Sequence, residues 1–184
     1  MLVTAGPTVE DIDPVRYLSN RSSGKMGYAI AEAARSRGAK VVLVSGPADL
    51  QFPDTIRVRT TAEMHRAVME NAADADVVIK AAAPLDFRPK SAAPQKIKKK
   101  SADLVLDLEP TEDILKDLGK HKNGRILVGF AAETENHLQH GLEKLKAKNL
   151  DLIVVNPASG PDSAFDSDMN HAIVIKSWIA WCNC

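Results

Sequence analysis

Apolar residues come in short unbroken runs that each stop at small or turn-forming residues. Residues 1–5 (MLVTA) end at Gly6-Pro7, "KVVLVSGP" ends at Gly46-Pro47, and "DVVIKAAA", "RILVGFAA" and "DLIVVN" have the same form. Runs this apolar and this short suit strands buried on both faces. Between them the period changes to three and four. Residues 26–37 place Tyr28, Ile30, Ala31 and Ala34 on one side, with Gly38 as a stop; residues 61–73 do the same with Met64, Val68 and Ala72 behind Thr61 as N-cap. Further helices are expected at 111–118 and 134–148. The alternation predicts an α/β fold, a Rossmann-like, doubly wound and mostly parallel sheet. One segment breaks the rhythm: residues 84–108 are punctuated by prolines and then alternate in "KIKKKSADLVLDL", which predicts an inserted flap or ribbon. One more strand is expected in the tail. No repeat or linker divides the chain, so residues 1–184 are expected to form a single domain.

Composition narrows the function classes. Lysine plus arginine (24) equals aspartate plus glutamate (24), so no global field favours nucleic acid, and phosphate binding would have to be local. The two cysteines, Cys182 and Cys184, form neither a disulfide framework nor a zinc quartet. No apolar run approaches the roughly 20 residues of a membrane span, and no basic-then-apolar leader is evident. A cytoplasmic protein without membrane or nucleic-acid partners is expected.

Open α/β sheets bind ligands beyond the carboxyl ends of their strands. That rule selects residues 6–27, 81–100, 129–134 and 156–170. In "SNRSSGKMG" the Gly24-Lys25 pair looks like the end of a phosphate loop, but Ser19 replaces the required first glycine and Met26 the required hydroxyl residue. No G-x-G-x-x-G follows the first strand either. Ser22, Ser23, Gly24 and Lys25 before a helix leave two readings, an anion site at its N-terminus or a plain serine cap. Lys96, Lys98, Lys99 and Lys100 are either a solvated face or a flap able to cover phosphates. Phe130 fits a core or a base-stacking role, while Lys144 and Lys148 share a helix face and read as surface residues. Asn156, Asp166, Asp168 and Asn170 are turn formers that could also hold a metal. No zinc-protease or serine-hydrolase motif occurs.

Together the stretches "TAGPTVEDIDPVRYLSNRSSGKMGYAIAEAARSRGA", "VSGP", "AAAPLDFRPK" with "KIKK", "DIL", "VGFAAET", "NLDLIVVN" and "FDSDMN" resemble the phosphopantothenate-cysteine ligase family of coenzyme A biosynthesis. The resemblance implies a CTP-dependent ligase that activates the 4'-phosphopantothenate carboxylate as an acyl-cytidylate, releases pyrophosphate, and lets the cysteine amine displace CMP. It implies Asn20 and Lys96 as catalytic residues. It places Ala81, Ala82, Asp86, Lys96, Phe130, Lys144 and Lys148 around the nucleotide, with a loop of Glu112, Asp113, Ile114 and Leu115 touching CTP. Arg16, Asn20 and the turn of Ser22, Ser23, Gly24, Lys25 and Met26 would hold substrate anions. Mg2+ would accompany CTP, with ligands unassigned, and no flavin is expected in this chain. A homodimer is implied, as is a phosphopantothenoylcysteine decarboxylase fused to the chain or acting as its partner. Departures from the family pattern are Pro84-Leu85, Glu112, the lone Lys80 in an apolar strand, and an atypical tail from about residue 176. They keep open an alternative, a catalytically inactive nucleotide-binding or oligomerising subunit, and ATP in place of CTP.

Overall fold

The computed structural model describes residues 1–99, 104–158 and 172–177. Eleven strands occur among them: β1 (Leu2–Ala5), β2 (Val9–Asp11), β3 (Tyr17–Ser19), β4 (Val42–Ser45), β5 (Ile56–Arg57), β6 (Val77–Lys80), β7 (Phe87–Pro89), β8 (Leu108–Pro110), β9 (Ile126–Glu133), β10 (Leu152–Pro157) and β11 (Ile173–Lys176). Four helices join them: α1 (Lys25–Ser36), α2 (Thr61–Ala72), α3 (Ile114–Lys120) and α4 (His137–Ala147). Seven strands make one sheet in the order β11-β10-β9-β6-β1-β4-β5, parallel throughout except for β11, which runs against β10. The doubly wound α/β expectation holds.

Side-chain alternation sorts the core into two layers. Leu2, Val44, Val78, Leu127, Ile153 and Val155 point to the face covered by α2, α3 and α4; Val3, Ala5 and Leu43 point to the face covered by α1 through Tyr28 and Ala31. The chain moves from β1 to β4 and β5 on one side, crosses back to β6, and continues to β9 and β10 on the other. The strand order therefore reverses between β1 and β6.

Three local expectations are corrected. Helix α2 is capped by Thr60, not Thr61: the Thr60 hydroxyl accepts from the Glu63 N–H and the Glu63 carboxylate accepts from the Thr60 N–H, a complete capping box. Thr61 is freed to bond Thr8 through its hydroxyl, Oγ1 to Oγ1 at 2.8 Å. The helix expected at 111–118 starts at Ile114, because Asp113 accepts from the Lys116 N–H and is the cap. The inserted ribbon exists, but it is β7 paired with β8; the alternating stretch at 96–107 forms no strand among its described residues. The antiparallel pair β2–β3 and the two-residue edge strand β5 were not anticipated.

Candidate functional site

The reversal between β1 and β6 opens a crevice at the carboxyl ends of the strands, where the loops after them part in opposite directions. Those loops are tied at their roots. The Ala82 N–H donates to Thr4 Oγ1 (3.1 Å), the Ala83 N–H to the Gly6 carbonyl (2.9 Å), and the Leu85 N–H to Thr8 Oγ1 (2.9 Å). The result is a cleft of about 990 Å³.

One wall is main chain. Residues 20–26 line it, and helix α1 opens from Gly24, which stands at φ 80° with no side-chain cap. A Cβ at Gly24 would meet Ala48 Cβ at 3.2 Å and the Gly6 backbone at 3.3 Å, so only glycine suits both the dihedral and the space. Gly27 presses the first turn onto β1: a Cβ there would lie 2.5 Å from Ala5 Cβ and 2.7 Å from the Thr4 carbonyl oxygen. An uncapped N-terminus facing a cleft favours the anion-site reading over the serine cap. Asn20 hangs over this wall, its Nδ2 donating to the Pro84 carbonyl (2.9 Å) and the Ala83 carbonyl (3.3 Å). Both amide hydrogens are thereby committed, and Oδ1 is what Asn20 offers a ligand.

The opposite wall is side chain. Lys144, in the last turn of α4, and Lys148, at its C-cap, stand four residues apart and share this wall with Leu115, Leu150, Ile153 and Phe130 from within β9. Lys144 bonds the Glu133 carboxylate and Lys148 reaches Asp113 at 3.0 Å. Burial pushes the Glu133 and Asp113 carboxyls up. It is outweighed by Lys144 and His140 at Glu133, and by the Lys116 N–H and Lys148 at Asp113, so both are held below the usual range. Lys80, the last residue of β6, lies on the floor between the walls. Burial lowers its pKa to about 8, and the nearby Lys148 and Lys144 add to that shift against the opposing pull of Asp86 and Asp113.

A family model described as the DNA/pantothenate metabolism flavoprotein C-terminal domain matches residues 1–180. The chain belongs to this family. It is 48% identical over 174 residues to the coenzyme A biosynthesis bifunctional protein CoaBC of Bacillus subtilis, covering 92% of this chain and 43% of that protein. It is 46% identical over 180 residues to a cysteine/cysteine sulfinic acid decarboxylase of an unknown prokaryotic organism, covering 95% of this chain and 50% of the relative. The chain thus spans about half the length of these curated relatives. Among solved structures, it resembles the C-terminal domain of CoaBC at 43% identity and a TM-score of 0.76, over 96% of this chain and 84% of that one.

Within this flavoprotein C-terminal domain the expected site residues fall into two sets. Asn20, Ser22, Ser23, Gly24, Lys25, Met26, Ala81, Ala82, Asp86, Leu115, Phe130, Lys144 and Lys148 all line the cleft. Arg16, Lys96, Glu112, Asp113 and Ile114 do not. Asp113 acts through Lys148 and the α3 cap, Ile114 is core, and Glu112 points toward Arg88 at 3.9 Å. Arg16 and Lys96 belong to one device: Arg16 bonds the Asp13 carboxylate (2.6 Å) and the Ile97 carbonyl (2.6 Å), and the Ile97 N–H donates to Asp13 (3.0 Å). This latch fixes the chain one residue beyond Lys96, which is exposed at the flap root. Asp13 is buried. Burial raises its carboxyl pKa, but the N–H groups of Ile97, Val15 and Arg16 and the Arg16 guanidinium hold it well below the carboxylate range.

Asn156, expected as a turn former that could hold a metal, lines the cleft; Arg21, Ala83 and Lys80 also line it without an expected role, and the signal for Lys80 was its position as a lone cation ending an apolar strand. Lys100, Asp166, Asp168 and Asn170 lie outside the described residues. Among the described residues no group of three metal-ligating side chains occurs, and no helix is long and apolar enough to cross a membrane. Asp86 is the single carboxylate among the described charged residues lining the cleft, which does not amount to a protein cage for Mg2+.

Proposed function

We propose that this chain is a phosphopantothenate-cysteine ligase domain acting in coenzyme A biosynthesis with CTP. The carrying observation is the cleft itself, which faces an uncapped helix N-terminus across from three lysines at the switch point of the sheet. The family membership and the CoaBC relatives support the same reading. In the first step a 4'-phosphopantothenate carboxylate oxygen attacks the α-phosphorus of CTP and pyrophosphate leaves. In the second the cysteine amine attacks the acyl carbon, forming the amide and releasing CMP. Residues 22–26 hold an anion through main-chain N–H groups, and Lys144 and Lys148 offset charge on the triphosphate. Asn20, held by two carbonyls, presents Oδ1 to the reacting groups; Lys96, carried by the latched flap, covers the phosphates during activation. Mg2+ accompanies the triphosphate and spreads its charge.

The same reading extends to assembly. Val15 and Tyr17 beside the β2–β3 ribbon and Phe87 and Leu108 on β7–β8 are exposed large apolar residues on neighbouring elements. We assign this surface to a second copy of the chain, a contact that would cover apolar area monomers rarely leave open. A decarboxylase domain, fused or separate, would supply the step that consumes the amide product, and the location would be cytoplasmic.

The test is pyrophosphate release by purified protein given CTP, Mg2+, 4'-phosphopantothenate and cysteine. Asn20→Asp, which sets a carboxylate against the Ala83 and Pro84 carbonyls, is expected to lower turnover by about 100-fold, in the range of other transition-state contacts. Lys96→Gln is expected to block pyrophosphate release. Folded protein that releases none with either CTP or ATP would overturn the ligase reading.

A further inference from the structure

Lys144 and Lys148 of the side-chain wall meet Lys80 on the cleft floor, and the three are not equivalent. Lys144 and Lys148 have carboxylate partners, Glu133 and Asp113. Lys80 has no hydrogen-bond or ion-pair partner among the described residues, although it is only partly exposed. Its place follows from register. Lys80 pairs with Thr4 on β1 and Gly129 on β9, and like Val78 it points to the face packed by α3 and α4. Gly129 has no side chain because Leu115 and Leu150 occupy that space; a Cβ there would lie 3.0 Å and 2.8 Å from their methyl carbons. The lysine thus leaves the sheet beside an apolar roof and ends in the cleft. A lysine placed this way is costly without an anion. The charged groups that act on it are Lys144 and Lys148 from α4, Asp113 at the head of α3 and Asp86 from the loop after β6, while its neighbours on β1 and β9, Thr4 and Gly129, carry no charge.

We infer that Lys80 is a phosphate-binding residue of the cleft, whose counter-ion is the polyphosphate of the bound nucleotide. The inference rests on the nucleotide-site reading above and assigns to that site a residue found from its position. It also explains why the nearby carboxylates leave Lys80 unpaired. Asp113 is already engaged by Lys148 and the Lys116 N–H, and Asp86 forms no ion pair among the described residues. A ligand phosphate beside Lys80 restores the favourable charge that burial removes.

A protonic signature follows. Burial lowers the pKa of free Lys80 from its ordinary 10.5 to about 8, so a growing share of molecules carries it neutral as pH rises past that point. A bound polyphosphate raises that pKa, so Lys80 itself takes up a proton on binding at pH 8.5 and none at pH 6.5, where it is already charged; the difference between wild type and variant separates this from protons exchanged by the ligand phosphates. Affinity should therefore weaken as pH rises above 8.

The experiment is isothermal titration calorimetry of the whole chain with CTP and, separately, with inorganic pyrophosphate, at pH 6.5, 7.5 and 8.5 in buffers of different ionisation enthalpy. Wild type and Lys80→Met are compared, since methionine keeps the unbranched stem and removes the charge. The expected result is about ten-fold weaker binding of both probes by Lys80→Met at pH 7.5, in line with one charge-assisted contact. Proton uptake at pH 8.5 should be greater in wild type than in the variant, and the difference should disappear at pH 6.5. Lys80→Arg should restore affinity at pH 7.5 and flatten its pH dependence. If Lys80→Met binds as tightly as wild type with the same proton uptake, Lys80 only balances Asp86 and Asp113 and the inference is overturned. If wild type binds pyrophosphate in a Lys80-dependent way but not CTP, the phosphate-binding role of Lys80 stands, while its assignment to a bound CTP falls together with the CTP reading of the site. If it binds neither, both fall.

Discussion

The two walls of the cleft reach the same electrostatic end by different means. The wall of residues 20–26 is built from main chain, and its precision comes from glycines that let segments touch: Gly24 against Gly6, Gly27 against Ala5. The facing wall is built from long side chains on α4, held in place by carboxylates. A main-chain wall cannot be retuned one residue at a time without moving the backbone. A lysine wall can be. The difference teaches where variation is tolerated, because substitutions on the second wall change charge, whereas those on the first change shape.

Replacing Gly27 with valine tests the main-chain wall most severely. The added atoms would have to displace β1 or α1, and a loss of about 3 kcal/mol in chemical denaturation is expected, together with loss of anion binding. An unchanged midpoint would mean that α1 is not pressed onto the sheet.

Lys80→Met probes the floor between the walls through stability alone. The folded-state pKa of Lys80, about 8, lies below its ordinary 10.5, so between those values the unfolded chain binds more protons and stability rises with pH. Below pH 8 the charged lysine is a full liability in the ligand-free protein. The methionine variant is therefore expected to be more stable at pH 7 by about 1–2 kcal/mol, an advantage that fades as pH rises from 8 to 10.5. Equal stability at pH 7 would show that solvent already reaches the ammonium group.

Asp13→Asn addresses the flap, which belongs to neither wall. The amide cannot accept from Val15, Arg16 and Ile97 as the carboxylate does, and hydrogen exchange at the Ile97 N–H is expected to quicken by about ten-fold or more. Because the folded-state pKa of Asp13 is depressed, its contribution is present above the ordinary carboxylate pKa and is lost as pH falls below it. Wild-type exchange at Ile97 in the variant would remove the latch. The smallest effect is expected for the Asp113–Lys148 pair on the lysine wall, whose partners are 41% and 27% exposed. A double-mutant cycle should give a coupling of about 0.5 kcal/mol, and one well above about 1 kcal/mol would mean that this wall is more rigid than its exposure suggests.

Much of this was legible in the chain. The sheet strands that form the cleft are apolar runs ending in small residues, and α1 announces itself through Tyr28, Ala31 and Gly38. Less legible were elements too short to carry a period. The strands β2 and β3 have three residues each and include Glu10, Asp11 and Ser19, so no alternation marks them. The stretch from Lys96 alternates in sequence, but its start is set by Asp13 and Arg16, 84 and 81 residues from Ile97, and not by a neighbouring strand. At α2, Thr60 and Thr61 are adjacent, and the spacing to Glu63 was the legible signal: Thr60 stands three residues before it and completes the capping box, while Thr61 bonds Thr8. The main-chain wall could be suspected from its glycines and serines. The lysine wall was legible only through the family resemblance, since by spacing alone Lys144 and Lys148 look like any solvated pair until α4 is laid against β9 and β10.

The bonds that tie the loop after β6 to β1 join residues 77 and 78 positions apart. Closures of that span form late relative to local turns. Helix α1 and the β1–β4 pair lie within residues 2–45, so the contacts of the anion wall are shorter in range than those that close the cleft. The cleft draws on segments from residue 20 to residue 157, so a small molecule that fits there binds the folded chain and not its separate parts, and so stabilises the folded state.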